Sequence, residues 1–207
     1  MPRTVAARRI IKHLYHFTRA SNLPGILTNG IIARSVLQNS GAVFTFNDEV
    51  RLDNRESRSC LSISFPNCKM LYQKMQEFPK DDWAVLRLNP SILWEHDCLF
   101  VVTNAATTTI RNAPDAQLKG ADALERLFGN DEARRQAGRL VHETTDVQAE
   151  VLVSGTILPH HIVNVNFHYQ NKLNDFKGLE ALSNKFNKFI WQFDPDLFYQ
   201  RKDADNG

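Results

Sequence analysis

Cysteine is scarce in this chain, with three among 207 residues. Cys60, Cys68 and Cys98 are odd in number and fit no metal-ligand or redox spacing, which excludes a disulfide framework and points to a reducing compartment. Long apolar runs are missing too. Nothing approaches the roughly 18 consecutive apolar residues of a membrane span, and the basic first residues lack the apolar stretch of a secretory signal. The expectation is a cytoplasmic protein with no membrane partner. Neither G-x-G-x-x-G nor G-x-x-x-x-G-K-S/T occurs, so a bound nucleotide would need another device to hold its phosphates. No G-x-S-x-G elbow is present, which leaves a serine hydrolase without support.

Acid is absent from the first 47 residues, which carry Arg3, Arg8, Arg9, Lys12, Arg19 and Arg34. The net charge of the whole chain is only +2. A basic segment on a near-neutral chain suggests a local anionic partner such as phosphate or nucleic acid, or a solvated N-terminal arm. An organelle-targeting peptide is a third reading. At 43% hydrophobic and 23% charged residues, composition fits one ordinary domain over residues 1–207. No repeat, low-complexity tract or Pro/Gly/Ser linker divides it.

Patterning predicts strands at Ile10–Phe17, Leu61–Phe65, Trp83–Leu88, Leu99–Thr103, Glu150–Val153 and Ile162–Phe167. Helices are expected at Asn22–Asn29, capped near Ser21 or Asn22 and stopped by Gly30, and at Lys69–Phe78, Ala121–Phe128 and Asp131–Arg139. Residues 47–59 read as an exposed loop and 104–147 as a polar segment. Phe176, Leu179, Leu182, Phe186 and Phe189 recur at spacings of three and four, so residues 172–200 read as an amphipathic helical segment packed on the domain. Strands mixed with short helices in no βαβ rhythm imply an α+β fold.

His13 and His16 lie three apart on a strand and face opposite sides, so they do not converge on a metal. His160–His161 fail for the same reason, and no metal is expected. Glu150 raises a sharper question. It opens the apolar run Val151–Leu152–Val153, where a carboxylate needs a partner or a solvated edge.

Three stretches together resemble a known family. Tyr15-His16-Phe17-Thr18 with Asn22-Leu23 and Gly30 after it, Arg51-Leu52-Asp53 followed by Ser62-Ile63-Ser64-Phe65-Pro66-Asn67 and Met70-Leu71-Tyr72, and Ala149-Glu150-Val151-Leu152-Val153 are similar to the DarT toxins. These transfer ADP-ribose from NAD to bases of single-stranded DNA. The resemblance covers the chain up to the strand around Val163. It implies an ADP-ribosyltransferase-like fold with two small β-sheets around an NAD cleft, and a toxin partnered by an ADP-ribose-removing antitoxin. It implies Glu150 and Arg51 as catalytic residues. His16, Thr18, Asn22, Leu23, Tyr72 and Arg51 would contact NAD, with Tyr72 either stacking on a ring or packing its helix as a buried aromatic. Arg55 and Arg58 flank Arg51 and are alternatives for its role. Arg134, Arg139 and His142 would meet nucleic acid, or form a solvated face. The 60–67 stretch is closer to the guanine-modifying branch than to the thymidine-modifying one, which has an aromatic-rich strand there. The protein is expected to act as a monomer. Transfer to single-stranded RNA and non-catalytic binding of single strands are the alternatives.

Overall fold

The computed structural model describes residues 1–41, 44–45, 54–136, 138–179 and 190–201. The chain opens with α1 (Pro2–Arg8), where a basic arm was expected. It ends in a Schellman turn: the Ile11 N–H donates to Ala6 O at 2.9 Å and the Ile10 N–H to Ala7 O at 3.2 Å, with Ile10 held at φ +54°. That turn delays β1 to Leu14–Arg19, later than the expected Ile10–Phe17. A 3-10 turn (Ala20–Asn22) leads into α2 (Leu23–Asn29), followed by α3 (Arg34–Ser40). As the sequence predicts, Gly30 stops α2; its φ is +91°, and a Cβ there would run into the Ile157 carbonyl.

β2 (Arg58–Ile63), α4 (Cys68–Glu77), β3 (Trp83–Leu88), α5 (Ile92–Glu95) and β4 (Cys98–Val101) follow. Arg58 and Ser59 therefore belong to a buried strand and not to an exposed loop. Side chains on both faces of β2 are covered. The polar segment after β4 holds α6 (Thr108–Arg111), α7 (Gly120–Arg126) and α8 (Asp131–Gln136). Ala123, Leu124, Leu127 and Phe128 sit in the main core, so this stretch is more scaffold than loop.

β5 (Glu150–Ser154) and β6 (Ile162–Phe167) precede α9 (Gln170–Phe176). Of the expected helical tail, Phe176 lies in α9 and Leu179 in the 3-10 turn after it, while Leu182, Phe186 and Phe189 lie outside the described residues. Ile190–Phe193 forms β7, paired in parallel with β6, in place of helix. Phe167 joins the two, stacking on Phe176 at 5.4 Å and on Trp191 at 6.0 Å between ring centroids. Among the described residues, no helix is long and apolar enough to cross a membrane.

Among the described residues, seven strands form one sheet, in the order β4-β5-β2-β1-β3-β6-β7, which corrects the expectation of two sheets. The join at its centre is narrow. β1 and β3 pair along six residues, but β1 and β2 share only Leu14↔Ile63 and Tyr15↔Ser62. Beyond Tyr15 and Ser62 the ladder stops, which leaves a split between a β4-β5-β2 half and a β1-β3-β6-β7 half.

Candidate active site

The split begins where the YHFT segment lies. His16 Nδ1 is 2.9 Å from the carbonyl of Cys60 on β2. A carbonyl only accepts, so Nδ1 carries the proton of that bond. The imidazole thus satisfies a β2 carbonyl just past the last backbone pair.

Thr18, two residues further along β1, is buried. Its hydroxyl accepts from Asn22 Nδ2 at 3.2 Å. The same Asn22 amide donates to Thr45 O at 2.8 Å, and its Oδ1 accepts from the Thr45 N–H at 2.9 Å. Asn22 therefore ties β1 to the segment at Thr45 and makes no side-chain cap on α2. The cause is local: the 3-10 turn leaves Asn22 at φ −82°, ψ −12°, not the extended conformation an N-cap adopts. Leu23 is fully buried and holds the start of α2 in the core.

Glu150 is the first residue of β5 and is 5% exposed. The backbone N–H of Ala105, in the turn after β4, reaches its Oε2 at 3.3 Å. β5 lies beside β2, and β2 beside β1, so Glu150 and His16 stand on strands separated by one other. The pairing Leu61↔Val151, carried one residue further, sets Ser62 beside Glu150, and Ser62 also faces Tyr15. With strands about 4.8 Å apart, the backbones of Tyr15 and Glu150 lie about 10 Å apart across the end of the split. A carboxylate here can stabilise positive charge developing on a substrate lodged in the opening.

Tyr72 sits on α4 and is 46% exposed, while its neighbour Leu71 points into the core. That removes the reading of Tyr72 as a buried aromatic that packs the helix. Arg51, with residues 46–53, falls outside the described residues. Its two neighbours in charge have structural duties: Arg55 pairs with Asp115 at 3.2 Å and donates to Ile110 O and Ala113 O, and Arg58 pairs with Asp97 at 2.7 Å. Lys119 and Arg58 together hold the Asp97 carboxyl below its usual range.

The three expected nucleic-acid contacts differ in burial. Arg134 is 8% exposed and bonded to Asp131 at 3.1 Å, a position that suits scaffold and not a surface contact. Arg139 is half-buried and donates to Thr144 O at 2.9 Å, and His142 is half-buried nearby in sequence. Residues 138–149 lead directly into Glu150 and so border the split. The sequence also held an unread signal at Asn67, a capping residue type immediately before a helix, and the structure places it beside Ser62.

A family description of "ssDNA thymidine ADP-ribosyltransferase, DarT" matches residues 15–198. Among solved structures, Thermosipho africanus DarTG in complex with ADP-ribose is 19% identical with a TM-score of 0.62, over 90% of this chain and 51% of that one. This chain thus spans about half the length of that relative. Thermus sp. 2.9 DarT in complex with NAD+ is 14% identical with a TM-score of 0.57, over 91% of this chain and 98% of that one. The same Thermus protein in complex with ADP-ribosylated ssDNA gives 14% and 0.56, over 92% and 97%. These likenesses show a shared fold. No curated protein sequence matches.

Proposed function

The chain belongs to the DarT family, and from that premise we propose that it transfers ADP-ribose from NAD to a base of single-stranded DNA. The observation that carries this reading is Glu150, a buried carboxylate opening β5, with β2 between it and β1, the strand of His16. Breaking the nicotinamide–ribose bond builds positive charge at the anomeric carbon, as in glycoside cleavage. Glu150 opposes that charge and holds a ribose hydroxyl. His16 Nε2 accepts from the ribose or the carboxamide, with Thr18, Asn22 and Leu23 shaping the same wall and Tyr72 offering a face for stacking. Arg51 meets the diphosphate and prepares the base. NAD is consumed as a substrate. The NAD+ and ADP-ribosylated ssDNA complexes of the Thermus relative support this assignment of both substrates.

The family description names thymidine. A guanine target rests on the 60–67 stretch of this chain alone and gains no support from the relatives. An ADP-ribose-removing antitoxin is the partner this chemistry requires in a cell, since free transfer damages the host's own DNA.

The test is direct. Matched oligonucleotides rich in thymidine or guanine, as single-stranded DNA, duplex DNA and RNA, are incubated with protein and NAD and weighed by mass spectrometry. An ADP-ribose adduct on single-stranded DNA is the expected result, and its fragmentation identifies the base. Adducts on RNA alone, or none on any strand, would overturn the proposal.

A further inference from the structure

Asn67 is 2% exposed, and its Nδ2 is buried with no hydrogen-bond partner. Buried amide nitrogens almost always find an acceptor, because leaving one unmet costs free energy. The direction of this one is fixed. Asn67 Oδ1 accepts from the Met70 N–H at 3.1 Å as the N-cap of α4, a role only the oxygen can fill, so Nδ2 is turned away from the helix.

Two contacts place Asn67 next to the site. The Asn67 N–H donates to Ser62 Oγ at 3.0 Å, and the β2–β5 register, carried one residue past Leu61↔Val151, sets Ser62 beside Glu150. Side chains directly opposite on neighbouring strands project from the same face, with Cβ atoms about 5 Å apart. Cys68, the next residue, packs against Val147, so the first turn of α4 lies on the segment that enters Glu150. The Asn67 amide is therefore within a side chain's reach of the Glu150 carboxylate.

We infer that Asn67 is a positioning residue for Glu150: its Nδ2 donates to the carboxylate in the substrate-bound state and fixes which oxygen faces the ribose. This rests on the proposed transferase reading of the site. Hydrogen bonds of this kind are often long without substrate and tighten only in the reacting complex.

Asn67→Ser and Asn67→Asp separate this role from capping, because both replacements keep a side-chain oxygen that caps α4 and both delete Nδ2. Asp also turns a negative charge toward Glu150. The full chain is assayed for melting temperature, NAD KM and transfer kcat. Both variants are expected to melt close to the wild type and to change KM by less than about threefold. The kcat should fall by about tenfold for Asn67→Ser, the loss of one hydrogen bond to a charged group, and further for Asn67→Asp. If both variants keep kcat within about twofold of the wild type, or lose it only as far as they lose stability, the role is overturned. A wild type that transfers nothing overturns the reading of the site and this role with it, whereas an active wild type with silent variants overturns Asn67 alone.

Discussion

Arg9 and Glu150 are equally buried charges, 4% and 5% exposed, at opposite ends of the argument between stability and function. Arg9 is enclosed by the scaffold. Its guanidinium bonds to Glu125 and, at 2.6 Å, to Asp131, and lies 5.0 Å over the Phe128 ring. Arg8 joins the same carboxylate at 2.6 Å. Two of the six basic residues of the opening segment, Arg8 and Arg9, thus find their anions within the chain, on acids more than a hundred residues away. Glu150 is held differently. A backbone amide from a neighbouring turn approaches it, and it opens a strand at the end of a split. A charge surrounded by side chains of opposite sign has its partners already. A carboxylate that opens a strand beside a split in the sheet is placed to meet a charge that arises during a reaction.

The comparison can be broken at either end. Glu150→Gln keeps shape but removes the charge, and transfer is expected to fall by about 10²–10³, roughly 3–4 kcal/mol of barrier. NAD affinity, measured by calorimetry, should stay near wild type, because the ground state asks less of the carboxylate than the transition state does. Stability should hardly change.

Arg9→Met should show the reverse. Losing a buried guanidinium from partly exposed carboxylates costs about 2 kcal/mol, or several degrees of melting temperature in a domain of this size. Specific activity of the folded fraction should be unchanged. A large activity loss without destabilisation would erase the distinction drawn between the two charges.

The same cluster predicts an acid dependence. Burial pushes the Glu125 carboxyl up, but the hydrogen bonds from Arg9 and Arg8 outweigh it and hold it below its ordinary 4.5. Arg9 and then Arg134 hold Asp131 below its ordinary 3.8. Depressed carboxylates stabilise the fold fully above their unfolded values and lose that contribution as pH falls through the folded ones. Melting temperature should therefore decline below about pH 4.5, and less steeply in Arg9→Met.

The smallest effect tests the turn that aims Arg9. Ile10 is exposed and occupies a left-handed position that favours glycine. Ile10→Gly should raise stability by about 0.5–1 kcal/mol in chemical denaturation. A loss of stability would mean that Ile10 contributes packing that outweighs its backbone strain.

Sequence patterning recovered the elements whose signal is local. Trp83–Leu88 and Ile162–Phe167 stand where they were expected, and Gly30 ends its helix for the anticipated reason. What it missed depends on distant partners. α1 buries only Val5 and Ala6, too short a stripe to read, and is secured by ion pairs to α7 and α8. β7 was hidden by the aromatic spacing that continues from Phe176, and its strand state comes from pairing with β6. In the site, the strand opening at Glu150 was legible. The narrow β1–β2 join, the Thr18–Asn22–Thr45 tie and the burial of Arg134 were not, because each is decided by what folds against it.

The most direct measurement is mass spectrometry of a single-stranded DNA oligonucleotide after incubation with NAD, with wild type and Glu150→Gln run side by side. The account predicts one ADP-ribose added to a base by the wild type, and a rate for Glu150→Gln lower by about 10²–10³ at matched NAD occupancy. Equal adduct formation by both proteins would contradict it, since the buried carboxylate at the start of β5 would then have no part in the transfer.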